Sequence, residues 1–121
     1  MSIQLNHTIV PSHDRDKSAA FFSRILGLKN EGAGDHFVSV RVNDTLTFLF
    51  DQEEEFDSHH YAFKVSEKEF DEIFGRIQNE KILYGSRPSQ REDMNIYEHD
   101  GGRGLYFCDV NGHVLEVLTV E

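Results

Sequence analysis

The run from Gly101 to Val117, Gly-Gly-Arg-Gly-Leu-Tyr-Phe-Cys-Asp-Val-Asn-Gly-His-Val-Leu-Glu-Val, constrains this chain more than any other stretch. An aromatic-rich strand, an Asp-Val-Asn-Gly turn and a second apolar strand follow one another, which reads as a β-hairpin closed at Asn111-Gly112. One residue resists that pattern. Glu116 sits between Val114-Leu115 and Val117-Leu118, in a strand whose other residues favour burial. A carboxylate taken out of water needs a partner, so the rest of the chain is searched for one.

Upstream, Leu5, His7 and Ile9 alternate with Gln4, Asn6 and Thr8, the two-residue period of a strand from Ile3 to Val10 that Pro11 and Ser12 end. A helix from about Asp14 to Leu26 follows, with Ala19, Phe22, Ile25 and Leu26 as its apolar stripe and Gly27 as its stop. Lys29 to Asp35 holds a weak strand. Phe37 to Val42 and Thr45 to Phe50 then form two alternating strands, with Val38, Val40, Leu46, Phe48 and Phe50 apolar. Their other faces carry Ser39, Arg41, Thr45 and Thr47, a polar lining for a cavity if the sheet curls.

After an acidic stretch, Asp51 to Asp57, a strand from His59 to Val65 leads into Ser66-Glu67-Lys68-Glu69, a capping box. The helix behind it shows Phe70, Ile73, Phe74 and Ile77 at helical spacing. Ile82 to Tyr84 reads as a short strand. Gly85 to Asp100, with Arg87, Arg91 and His99, reads as a long polar loop, a lid or a plain connection.

The order strand, helix, three strands therefore occurs twice, and His7 and His60 hold matching places 53 residues apart. The expected fold is α+β: two βαβββ repeats, about residues 1–52 and 58–121 of one domain, forming a curled, cavity-lining mixed sheet with helices outside. Across a pseudo-dyad, His7 would face His60, with Glu116 nearby. Two imidazoles and a carboxylate suit a divalent transition metal with open positions, and such a cation would also hold Glu116 ionised.

Composition narrows the partners. Twelve basic residues against 22 acidic give a formal net charge of −10, which argues against nucleic acid and anionic membranes. A single cysteine excludes an intrachain disulfide. Without a membrane-length apolar run or a signal-like N-terminus, the expected location is the cytoplasm.

Asn6-His7-Thr8, His60-Tyr61-Ala62-Phe63 and the hairpin from Leu105 to Glu116 together resemble the vicinal oxygen chelate superfamily, along essentially the whole chain. That superfamily contains glyoxalases, extradiol dioxygenases, fosfomycin-resistance thiol transferases and bleomycin-resistance proteins. The resemblance implies that His7, His60 and Glu116 ligate a divalent metal ion (Fe2+, Mn2+, Ni2+ or Zn2+), that Tyr106 faces the cavity, and that the chain is a homodimer. It implies an enzyme, a lyase/isomerase or an extradiol-type dioxygenase, acting on a small oxygen-chelating molecule with the metal as Lewis acid. Arg41, Ser39, Thr47 and Lys64 are then the substrate-binding candidates, and Glu116 and Tyr106 the catalytic ones. The fourth ligand of glyoxalases lies on the last strand of the first half, where parity selects Thr47, a poor ligand. The basic segment that follows the final ligand strand in fosfomycin-resistance enzymes has no counterpart before Glu121. The alternative functions are a metal-free protein that sequesters a cationic drug such as bleomycin, and a relic of the fold used for interaction.

Overall fold

A computed structural model of the chain describes residues 3–120. It divides into two compact units, Met1–Asp57 and Ser58–Glu121, each built around one sheet and one helix.

In the first unit, β1 (His7–Ser12), α1 (Arg15–Leu26), β2 (Lys29–Ala33), β3 (Val38–Arg41) and β4 (Thr47–Gln52) form a mixed sheet in the order β1-β4-β3-β2. β1 runs parallel to β4, and the other neighbours are antiparallel. Alternation decides the faces. Val10, Val38, Val40, Phe48 and Phe50 are buried beneath α1, whose Ala19, Phe22 and Ile25 are fully buried. Phe22 meets Phe48 and Phe50 edge-on, with ring centroids 5.9 and 4.9 Å away. The opposite face carries His7, Ile9, Ser39, Arg41, Thr47 and Leu49.

α1 begins where the Asp14 carboxylate accepts the amides of Asp16 and Lys17, both at 3.1 Å, and ends at Gly27. β1 differs from the strand expected at Ile3 to Val10: it starts later and continues through Pro11 and Ser12. Proline is tolerated because β1 lies at the end of the sheet order. The carbonyls of Asn6 and Ser12 accept the amides of Thr47 and Glu53, so the missing N–H of Pro11 falls on the side away from the ladder.

The second unit repeats the plan. β5 (His60–Lys64), α2 (Glu67–Asn79), β6 (Tyr84–Gly85), β7 (Tyr97–His99), β8 (Gly102–Cys108) and β9 (Val114–Leu118) give the order β5-β9-β8-β6, with β7 also paired to β8. β5 is parallel to β9. Leu105, Phe107, Leu115 and Val117 are buried, together with Phe70, Ile73 and Ile77 of α2. The capping box at Ser66 is formed: Ser66 Oγ accepts the Glu69 amide, and the Glu69 carboxylate accepts the Ser66 amide at 2.9 Å. Arg103 stacks 4.3 Å over the Phe70 ring while its guanidinium reaches Glu67 and Asp71, tying β8 to α2.

Two sequence expectations change here. The Gly85–Asp100 stretch is not a plain loop, because β7 lies within it and pairs with β8. The residues before β7 are also ordered: the Asp93 carboxylate accepts the Ser86 hydroxyl at 2.6 Å and the Asn95 amide at 3.0 Å. The hairpin is not closed by a two-residue Asn-Gly turn. Gly112 alone there has positive φ (87°), and the loop spans 109–113. Its organiser is the buried Asp109 carboxylate, which accepts the amides of Asn111 (2.9 Å) and His113 (2.8 Å).

Candidate metal and substrate site

Glu116 finds its partners inside the second unit. In the β8-β9 register Glu116 stands opposite Tyr106, and in the β5-β9 register it stands opposite Ala62. Its face of the sheet therefore also holds His60. His60 Nε2 lies 3.2 Å from Glu116 Oε1, and the other carboxylate oxygen, Oε2, accepts a hydrogen bond from the Tyr97 hydroxyl at 2.7 Å. The Glu116 side chain is 13 % exposed and that of His60 46 %, so the pair lies on an accessible face rather than in the core. Burial raises the pKa of both Tyr97 and Tyr106, and the neighbouring Glu116 carboxylate raises each further. Both phenols therefore remain protonated donors at neutral pH. The Tyr106 ring stands edge-on to the His60 ring at 5.9 Å.

Tyr97 escaped the sequence analysis because it was read as part of the polar loop. The legible signal was Gly104. Tyr97 and Gly104 are direct cross-strand partners, and a Cβ at 104 would lie 2.6 Å from Tyr97 Cε2 and nearer still to Cζ and the hydroxyl. The bare glycine lets the ring cross β8 and reach Glu116 on β9.

The entry of His60 into this site is fixed from behind. The His59 amide donates to His113 Nδ1 at 2.9 Å, and the His59 carbonyl accepts the Val114 amide at 2.8 Å. Both backbone groups of the residue before His60 are thus held by the start of β9. His113 is fully buried. Tyr61, beside it, has its pKa pushed up to about 12 by burial and by Asp109.

In the first unit, His7, Thr47 and Arg41 stand side by side across β1, β4 and β3. The His7 Nδ1 lies 2.7 Å from the Asn6 side-chain amide oxygen, on an exposed part of β1. Ser39 is the neighbour of Leu49, and Arg41 Nε lies 3.7 Å from a Glu31 carboxylate oxygen. Lys64 is exposed on the His60 side of β5. The register also corrects the position read as the fourth-ligand place. His7 pairs with Thr47 as His60 pairs with Val114, so the counterpart of Glu116 is Leu49, two residues beyond Thr47.

The spacing of the His60–Glu116 pair is compatible with two adjacent ligands on one divalent ion. Adjacent ligands on a cation with bonds of about 2.1 Å are separated by roughly 3.0–3.4 Å, and His60 Nε2 and Glu116 Oε1 are 3.2 Å apart. Among the described residues, no group of three or more His, Cys, Asp and Glu side chains that could hold a metal ion is assembled.

The chain is thus a pair of units on the βαβββ plan, with a histidine opening the first strand of each and a carboxylate on the last strand of the second. No protein-family model matches the chain. It is 43 % identical to the oxidase ChaP-H2, whose solved structure superposes with a TM-score of 0.95 over 100 % of this chain and 96 % of that one. It is 27 % identical to the metallothiol transferase FosB of Lysinibacillus sphaericus, covering 98 % of this chain and 84 % of the relative. It is 28 % identical to the glutathione transferase FosA of Serratia marcescens, covering 93 % and 78 %. The chain belongs to the vicinal oxygen chelate superfamily. Among the described residues, no helix is long and apolar enough to cross a membrane.

Proposed function

We propose that this chain is a divalent-metal enzyme that acts on a small molecule presenting two adjacent oxygens, and that its chemistry lies on the oxidative side of the superfamily. The observation that carries the proposal is the His60–Glu116 pair, one imidazole nitrogen and one carboxylate oxygen 3.2 Å apart on an accessible sheet face. The oxidative assignment is supported by 43 % identity, over the whole chain, to a protein named an oxidase. A relative named a metallothiol transferase supports the metal.

In this reading His60 and Glu116 would hold the ion, with His7 as the third ligand. The bound ion supplies Lewis acidity toward the two substrate oxygens. Tyr106, a protonated phenol on the same face, donates a hydrogen bond to substrate oxygen. Arg41, Ser39 and Thr47 of the first sheet and Lys64 of the second bind the polar or anionic groups of the substrate.

The test is metal content. Purified in turn with iron(II), manganese(II), nickel(II) and zinc(II), the wild type is expected to retain one divalent ion per chain by elemental analysis, and Glu116→Ala and His60→Ala to retain none. A wild type without bound metal, or a Glu116→Ala protein that keeps it, overturns the proposal. Tight binding of bleomycin by metal-free wild type would move the assignment to sequestration. Oxygen uptake with vicinal-oxygen substrates such as catechols separates the oxidative from the isomerising reading; isomerisation without uptake would exclude the former.

A further inference from the structure

Tyr97 and Gly104 form a device whose purpose the metal reading of the site does not by itself supply. The Tyr97 hydroxyl donates to Glu116 Oε2 at 2.7 Å, whereas Oε1 faces His60 Nε2 at 3.2 Å. The two carboxylate oxygens thus meet partners on different strands, Oε1 the His60 imidazole of β5 and Oε2 the Tyr97 phenol of β7. The phenol is held in place on three sides. Its backbone is paired in β7, its ring crosses a glycine where any side chain would collide, and the Tyr106 ring lies 5.8 Å away. An ordinary carboxylate on a strand rotates about its last bond and offers a cation either one oxygen or both. Here rotation breaks the hydrogen bond to Tyr97.

We infer that Tyr97 is a positioning residue that restricts Glu116 to one-oxygen coordination, keeping open the metal position that the second oxygen would otherwise fill. The inference rests on the metal assignment given above. A substrate that chelates through two oxygens needs two free positions, and a bidentate glutamate would take one of them. Tyr97 touches neither the metal nor the substrate in this role; it acts through Glu116. Carboxylate ligands are commonly oriented by such outer hydrogen bonds. What is particular here is that the donor comes from a strand inserted in the second unit, reaching across a glycine.

The test uses cobalt(II) as the probe ion, because the intensity of its visible bands falls as its coordination number rises. Wild type, Tyr97→Phe and Gly104→Ala are each loaded with cobalt(II) and their visible spectra compared. Tyr97→Phe keeps the ring over Gly104 and removes the hydroxyl alone, so a purely structural role leaves its spectrum unchanged. The expected result is a loss of band intensity in Tyr97→Phe, reproduced in Gly104→Ala, where the ring is displaced and the hydroxyl moved away from Glu116. If both variants keep the wild-type spectrum, the inference fails and the metal assignment stands. If wild type takes up no cobalt, both fail together. Should Gly104→Ala not fold, Tyr97→Phe alone decides.

Discussion

The two sheets of this protein have the same strand order in their shared core and matching register, yet their exposed faces diverge position by position. His7 corresponds to His60 and both remain histidine. Leu49 corresponds to Glu116, Ser39 to Tyr106, Thr47 to Val114 and Arg41 to Cys108. The buried faces, in contrast, stay apolar in both: Val40, Phe48 and Phe50 in one, Leu105, Phe107, Leu115 and Val117 in the other. A duplicated scaffold therefore conserves what packing requires and differentiates where packing makes no demand. Only one half has the carboxylate, and only that half has the extra strand β7 that steadies it. The lone carboxylate makes the proposed ligand set asymmetric, and an asymmetric set leaves positions free for substrate.

Exchange of residues across this relation is the sharpest way to test it. Glu116→Leu makes the second sheet resemble the first and is expected to abolish metal retention altogether by elemental analysis.

The cores offer a second comparison, smaller in effect. Phe22→Ala and Phe107→Ala each remove a fully buried ring, one per unit, and each is expected to cost about 3–5 kcal/mol in chemical denaturation. A cost confined to one of them would mean that the two units do not share the stability that their common plan implies.

Smallest are the helix caps. Asp14→Ala and Ser66→Ala are each expected to cost about 1 kcal/mol, since each removes the acceptor for first-turn amides. The hydrogen bonds of Ser66 hold the Glu69 carboxyl below its ordinary value of 4.5. A depressed folded-state pKa contributes stability above the unfolded value that is lost as the pH falls through the folded one. The penalty of Ser66→Ala should therefore shrink on acidification below pH 4.5, read by repeating the denaturation at several pH values.

What could be read from the sequence followed from periodicity. Alternation places His60, Tyr106 and Glu116 on strands, and the carboxylate among valines and leucines marks the candidate site. The helices were legible through their caps and apolar spacing, down to Ser66 and Gly27. Register was not legible. A two-residue period says that Thr47 and Leu49 share a face but not which of them stands in the place of Glu116; that is set by how β1 pairs with β4. Nor was the closure of the hairpin legible. Asn111-Gly112 suggested a tight turn, but the Asp109 side chain offers the backbone amides a better acceptor and lengthens the loop. Tyr97 stayed hidden because a three-residue strand is too short to show a period.

The overlap between Gly104 and Tyr97 also sets an order on change. An alanine arriving first at position 104 collides with the ring and hydroxyl of Tyr97, so it is penalised in any background that retains the tyrosine. A smaller residue arriving first at 97 leaves room beneath it, and position 104 becomes free to vary. Of the two paths between the same end points, one is closed and one is open. Descendants of this chain should therefore lose the tyrosine before they lose the glycine.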